Sequence, residues 1–288
     1  MSRLILALGL LFLWAPVLLM VVFAFSDARQ PFVWGGFSLR WFAALAANQR
    51  LQEAALLSVG IAAGAAALAT LVGLAIGWVL ARHGRFAGRP AFGVLAAAPL
   101  VLPEVVTGLG LLFLFVLMER HLGWPEGRSA LTILLAHASL GAAYVAVVVQ
   151  ARLASLGRVL EDAAADLGAG PATVFRTITL PLLAPALGAG FALAFLLSLD
   201  DVVLASFTGG PGATTLPVLL FSQLRLGPTP EAHALATLML AALALIGAGV
   251  LWLAGRRSGA LPLLPADDPP QHGRYTGDAM LRPTCDAS

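Results

Sequence analysis

A chain of 288 residues with 59% hydrophobic and only 11% charged residues is not an ordinary soluble domain, since those carry about 25% charged residues. Lipid is therefore the solvent to reason with. All 17 basic residues are arginine, and a chain without lysine excludes a P-loop, whose signature needs that side chain for the phosphates. If ATP drives this protein, another subunit must bind it.

Six apolar segments follow one another: Leu4–Phe25, Ala54–Ala81, Ala91–Met118, Ala130–Ala151, Leu182–Phe207 and Ala234–Ala254. Each has the roughly 20 residues needed to cross a hydrocarbon core. Backbone polar groups have no partner in lipid, so the spans are expected to be helices and the fold all-α. The first segment also reads as a signal peptide, with Arg3 before it and Ala24-Phe25-Ser26 at its end. Its apolar run is longer than a signal core, which favours an uncleaved helix. Beyond it, Phe37–Phe42 reads as an interfacial helix with Ser38 as cap and Trp41 and Phe42 at headgroup depth. The second segment carries Gly60-x-x-x-Gly64 and Gly73-x-x-x-Gly77, spacings that suit close helix packing. Trp78, Trp124 and Trp252 sit where aromatic belts are expected.

Arginine placement sets the orientation. Arg3, Arg82, Arg85, Arg89, Arg152, Arg158, Arg176, Arg256 and Arg257 fall on one side of a six-span chain. Arg29, Arg40, Arg50, Arg120, Arg128 and Arg225 fall on the other. The richer side is expected to be cytoplasmic, which puts both termini inside. Between the last two spans, Thr208–Ala232 reads as an outer loop with a sharp turn at Gly209-Gly210-Pro211-Gly212 and a short helix around Leu216–Leu224. After Arg257 the chain is rich in Pro and Asp. Residues 258–288 are expected to be a disordered cytoplasmic tail, leaving 1–257 as the transmembrane domain. The single Cys285 lies in that tail and has no disulfide partner in the chain.

The cytoplasmic stretch between the fourth and fifth segments is of mixed polarity. From Arg158 to Leu167 the apolar positions recur at one helical turn, with Glu161, Asp162 and Asp166 outside them. Gly168 and Gly170 break this helix, Pro171 opens a second, and Leu180-Pro181 is expected to end the excursion and begin the next span. Asp162-Ala163-Ala164, Gly168, Ile178, Leu180 and Pro181 fall at the spacings of the EAA loop, so the segment resembles that of ABC importer permeases. Asp162 departs from the pattern, which usually has Glu there; the shorter carboxylate keeps the charge and loses reach. The resemblance implies a MetI-like permease whose 158–181 loop couples to an ATPase, with Glu161, Asp162, Ala163, Ala164, Gly168, Ile178, Leu180 and Pro181 as coupling residues.

Acids within spans are costly, at about 2.5–3.5 kcal/mol on insertion scales, and mark functional sites. Glu104 is expected mid-span in the third segment, directly after Pro103, and Asp200 and Asp201 in the outer half of the fifth. Adjacent helical residues point about 100° apart, so at most one of the two aspartates faces a central path squarely. The alternatives are protonation or pairing with an arginine from a neighbouring helix; three acids against no arginine deep in any span favour a cation route. His137, deep in the fourth segment, is expected to hydrogen bond to a neighbouring helix rather than to bind metal.

Ser198-Leu199-Asp200-Asp201, Gly212-Ala213-Thr214-Thr215-Leu216-Pro217, the run from Ala98 to Gly108 and Ala234–Leu238 resemble the putrescine branch of the polyamine permeases. That resemblance covers roughly Phe37 to Trp252. It implies a heteromeric importer in a bacterial inner membrane: this permease, a sister permease, two cytoplasmic ATPase subunits and a periplasmic binding protein. Putrescine or spermidine is the implied substrate, with another organic cation or amine-containing solute as the alternative. No cofactor, metal or nucleic-acid partner is implied. An ion-coupled secondary transporter is the rival mechanism, but it leaves the cytoplasmic loop unexplained and no inverted repeat is visible. An intramembrane enzyme lacks a nucleophile–base pair or a soluble-enzyme signature such as H-E-x-x-H or G-x-S-x-G.

Overall fold

The computed structural model describes residues 2–30, 33–225 and 230–258. The described residues form helices joined by turns: α1 (Ser2–Ala24), α2 (Arg40–Ala47), α3 (Gln49–Arg82), α4 (Arg89–Val101), α5 (Glu104–Leu122) and α6 (Ala130–Leu156). They continue with α7 (Val159–Asp166), α8 (Pro171–Val174), a π-helical turn (Phe175–Thr179), α9 (Leu180–Asp200), α10 (Val203–Thr208), α11 (Leu216–Arg225) and α12 (Pro230–Ser258). Among them, five stretches are long and apolar enough to cross a membrane: Gln49–Arg82, Glu104–Leu122, Ala130–Leu156, Pro171–Asp200 and Pro230–Gly249. In α1 the apolar stretch Leu8–Ala24 is shorter. The chain divides into two units, Met1–Val250 and Leu251–Ser288. The expected tail and the side chain of Trp252 lie outside the described residues.

α3, α6 and α9 form the centre. Ala66 and Ala69 of α3, Ala142, Val145 and Val149 of α6, and Leu183 and Ala194 of α9 make one buried cluster. Small residues permit this closeness, because lipid supplies no hydrophobic drive between spans and association rests on contact. A Cβ on Gly73 would lie 2.6 Å from Val145 Cβ and 2.8 Å from the Ala142 carbonyl oxygen. A Cβ on Gly77 would lie 2.8 Å from the Ala146 carbonyl oxygen. The Gly73–Gly77 pair is thus the α3–α6 contact its spacing predicts. In the Gly60–Gly64 pair only Gly64 meets a neighbour, the Leu134 side chain; a Cβ on Gly60 meets nothing within 4 Å.

A second cluster joins Ala24, Leu45, Leu51, Ala54, Leu216, Leu219, Ala234 and Leu235. It gathers the ends of α1, α3 and α12 with the short α2 and α11. The helix expected near Leu216–Leu224 is α11. Trp41 lies on α2 and donates from Nε1 to the Ser26 carbonyl at 2.9 Å, so its ring is pinned to the loop after α1. Ser38 accepts from the Arg40 N–H at 3.2 Å, while Leu39 holds the cap position.

Three expectations change. The segment Ala91–Met118 is not one span: α4 stops at Val101 and α5 starts at Glu104. Leu102 takes an extended backbone, φ −74° and ψ 140°, as the residue before a proline favours, and Pro103 has no N–H to continue the ladder. Glu104 is therefore the first residue of a helix and not a mid-span residue. Likewise Leu182–Phe207 is interrupted after Asp200, since Asp201 is extended at φ −67° and ψ 130°. Leu180-Pro181 does not separate the excursion after α6 from the span. The helix runs unbroken from Pro171 to Asp200, 30 residues, or about 45 Å at 1.5 Å per residue. The π turn lies just ahead of Pro181, and the Leu180 N–H reaches back to the Phe175 carbonyl. That widened register relieves the clash a proline ring makes with the carbonyl four residues earlier.

Candidate functional site: the knob between α6 and α9 and the acids of the spans

The knob begins where α6 ends at Gly157, whose φ of +64° turns the chain. α7 is a two-turn helix that closes on Gly168, φ +85°. The Gly168 N–H donates to the Ala165 carbonyl at 2.9 Å and the Ala169 N–H to the Ala164 carbonyl at 3.0 Å. This pair of bonds is a Schellman cap, whose left-handed residue is best a glycine. The spacing from Ala164 to Gly168 is therefore the spacing of a helix stop. A Cβ on Gly168 meets nothing within 4 Å, so the requirement within this chain is one of backbone conformation.

Glu161 and Asp162 are adjacent, and the fold sends them different ways. Glu161 Oε2 lies 2.9 Å from Arg82 Nε at the end of α3, with side chains only 19% and 11% exposed. Its Oε1 accepts from Arg82 at 3.2 Å and from the Thr179 hydroxyl at 2.9 Å. Arg82 also donates to the Leu153 and Gly157 carbonyls at the end of α6, at 3.2 and 2.6 Å. Arg158 in turn donates to the Arg82 carbonyl. Asp162 is exposed. So are Val159, Leu160 and Leu167, the last at 90%, and Ala163 and Pro181, while Ala164, Ile178 and Leu180 are half-buried.

A cavity of 290 Å³ opens between the end of α3 and the knob, lined by Trp78, Arg82, Glu161, Asp162, Phe175 and Thr179, among others. Trp78 meets Phe175 edge to face at 5.6 Å between ring centroids. It is a wall of the knob's seat, a role the belt reading did not give it. Arg82 entered the sequence reading only as a marker of sidedness, and Thr179 not at all. Their signal was weak: an arginine closing an apolar span, and a threonine two residues before a proline.

In the spans, Asp201 is 9% exposed. Its Oδ1 lies 3.2 Å from His137 Nε2 and accepts from the Ala205 N–H at 2.9 Å. His137 Nδ1 is 2.6 Å from Ser198 Oγ, so the expected hydrogen bond from His137 to a neighbouring helix is present. Thr132 on α6 donates to the Thr208 carbonyl at 2.7 Å, which holds the far end of α10. Ser198 and Asp201 are three residues apart and so share a face; that spacing was available to read, and Ser198 was named only for its resemblance. Asp200, one position away, is exposed, as is Glu104. The structure therefore separates the three acids: one is buried and partnered, and two are open.

α5, which Glu104 begins, packs on α10 through Gly108, where a Cβ would lie 2.9 Å from the Phe207 ring and 3.4 Å from Leu204. Two polypeptide breaks, after Leu102 and after Asp200, thus belong to helices in contact. Broken helices with acids at the break are the usual way a span exposes polar groups to a path rather than to lipid.

The matching family model is described as "Binding-protein-dependent transport system inner membrane component" and covers residues 73–257. The putrescine transport system permease protein PotI of Escherichia coli (strain K12) is 50% identical over 243 residues, 84% of this chain and 86% of that protein. The spermidine/putrescine transport system permease protein PotC of the same strain is 36% identical over 229 residues, 80% of this chain and 84% of that one. Among solved structures, a chain of a bacterial ABC transporter involved in alginate import superposes with a TM-score of 0.64. It is 15% identical, and the match covers 89% of this chain and 94% of that one; it speaks for the fold. With the helix order, the knob and these likenesses together, the chain belongs to the family of binding-protein-dependent transport system inner membrane components, and is a multi-pass inner-membrane protein of the permease type.

Proposed function

We propose that this chain is a permease subunit of an ATP-driven importer that carries polyamine, putrescine foremost, across a bacterial inner membrane. Its partners are a sister permease, two cytoplasmic ATPase subunits and a periplasmic binding protein. Both termini and the knob lie on the cytoplasmic side, where the arginine-rich ends of α3, α6 and α7 gather. The chain itself neither binds nor hydrolyses ATP. The observation that carries this reading is the single helix from Pro171 to Asp200. It makes the second half of the knob and the open intramembrane carboxylate two ends of one rod. A push on the knob by a closing ATPase moves Asp200 without any joint to absorb the motion.

The substrate assignment is supported by what the relatives are named for and by the chemistry of the acids. A diamine carries a positive group at each end, so its path needs carboxylates on separate elements that offset part of the lost hydration. Asp200 at the end of α9 and Glu104 at the start of α5 serve as those two groups. Asp201, paired with His137, holds the break that presents Asp200. Attraction stays modest because each open carboxylate is single, and a tightly held cation would not leave. The exposed side of the knob, with Asp162, Leu160 and Leu167, docks on the ATPase.

The test is uptake of labelled putrescine by proteoliposomes containing the whole complex, with spermidine and unrelated amine-containing solutes as competitors. Putrescine uptake that needs ATP and is displaced best by unlabelled putrescine supports the assignment. Uptake displaced only by another solute moves the substrate to that solute. Uptake that follows an ion gradient without ATP refutes the importer reading.

A further inference from the structure

The cytoplasmic ends of three core helices converge on one guanidinium. Arg82 ends α3, caps two carbonyls of α6 and holds both carboxylate oxygens of Glu161 on α7. Glu161 in turn takes the hydroxyl of Thr179, which lies in the π turn of the Pro171–Asp200 rod. The π turn adds its extra residue at this point, and a widened turn changes which side chains share a face. Arg158 closes the circuit with a bond back to the Arg82 carbonyl. α7 has no buried residue, so apolar packing does not fix its angle to the bundle.

From this we infer that Arg82, Glu161 and Thr179 form a brace that fixes the knob to the α3–α6–α9 core, and that Arg82 and Glu161 are positioning residues for coupling. The two adjacent acids of the knob have separate tasks. Glu161 faces inward and sets the angle of α7; Asp162 faces outward and is left for the partner. Without the brace, a push on α7 is spent in rotating α7 about Gly157 and Gly168 instead of moving the rod. An arginine–carboxylate ion pair suits this role, because one hydrogen bond from Arg82 Nη2 to Glu161 Oε1 and a second close contact between Nε and Oε2 hold the two planar groups at two points. The inference rests on the coupling role proposed above for the knob.

Two measurements test it. In the first, the purified permease on a Cys285→Ser background carries nitroxide labels at Ala75→Cys, exposed on α3, and Asp166→Cys, exposed on α7. The label-to-label distance distribution should be narrow, and should at least double in width in Arg82→Gln and in Glu161→Gln but not in Asp162→Asn. An unchanged distribution in the first two variants overturns the brace, whatever transport does. The second uses the whole complex and compares ATP hydrolysis with and without loaded binding protein. Arg82→Gln and Glu161→Gln should each reduce the stimulated rate about tenfold, and the double variant should be no worse than either single one, as for two residues acting through one contact. Basal hydrolysis and co-purification with the ATPase should stay at wild-type levels. Effects that multiply in the double variant overturn the brace as the cause. Failure of the underlying coupling reading is separable: it shows as normal stimulated hydrolysis in Gly168→Val, while the distance distribution still reports on the brace alone.

Discussion

At Gly168 the demand is for a positive φ, +85°, with open space around the missing side chain. A β-branched residue there costs roughly 1–2 kcal/mol of left-handed strain and loosens the stop of α7. Gly168→Val should abolish stimulation of ATP hydrolysis by binding protein while the permease still inserts. Gly168→Asn, which tolerates the left-handed region, should keep most of it. Equal loss in both would mean that the partner, not the backbone, needs the bare glycine. The acids divide in the same residue-by-residue way. Asp200→Asn and Glu104→Gln change open side chains and should lower polyamine uptake at least about tenfold, the equivalent of 1.4 kcal/mol, with the complex still assembled. Asp201→Asn strikes a buried pair with His137, so it should also lower thermal stability, by about 1–3 kcal/mol for a lost buried partner. Wild-type uptake in both Asp200→Asn and Glu104→Gln would remove the cation path from these residues.

Among the elements, α3 and α6 depend on backbone approach. Gly73→Leu places a side chain where Val145 and the Ala142 carbonyl already stand, and overpacking of this kind costs about 1–3 kcal/mol or more. Gly60→Leu faces open space and should stay within roughly 0.5 kcal/mol of wild type. Thermal unfolding of the two variants in detergent should therefore differ although both glycines begin a G-x-x-x-G. The element that matters most for mechanism is the rod from Pro171 to Asp200. Its π turn shows how a helix passes Pro181 without a break. The second half of the knob is thereby one end of a span and not a separate module.

For the molecule as a whole, the fold supplies one continuous rod with an open carboxylate, Asp200, at its end, and the chain has no lysine for a phosphate cradle of the P-loop kind. The purified chain should show no ATP binding in a nucleotide-titration assay, with hydrolysis appearing only on addition of the ATPase subunits. Nucleotide bound by the single chain would contradict the division of labour. The exposed apolar faces of α4 and α5, such as Val94, Leu95, Val101 and Val105, are suited to lipid or a second permease, as expected of spans with little internal packing.

Hydropathy and glycine spacing were enough to read an all-helical membrane protein, because lipid leaves the backbone no other way to satisfy its polar groups. The knob was legible for a similar reason: Ala164, Gly168 and Pro171 are local signals for a helix stop and a helix start, and local signals need no partner to be read. What one-dimensional pattern did not reveal was where helices break and which polar groups meet. Ala91–Met118 is apolar except for Glu104 and Thr107, so composition reads it as one span although Pro103 divides it. Asp200 and Asp201 are identical in chemistry, and only the turn after α9 buries one against His137 and leaves the other open. Arg82 and Glu161 stand 79 residues apart, a separation at which periodicity carries no information. Their pairing is decided by three helices ending at the same level, which the tertiary structure alone brings about.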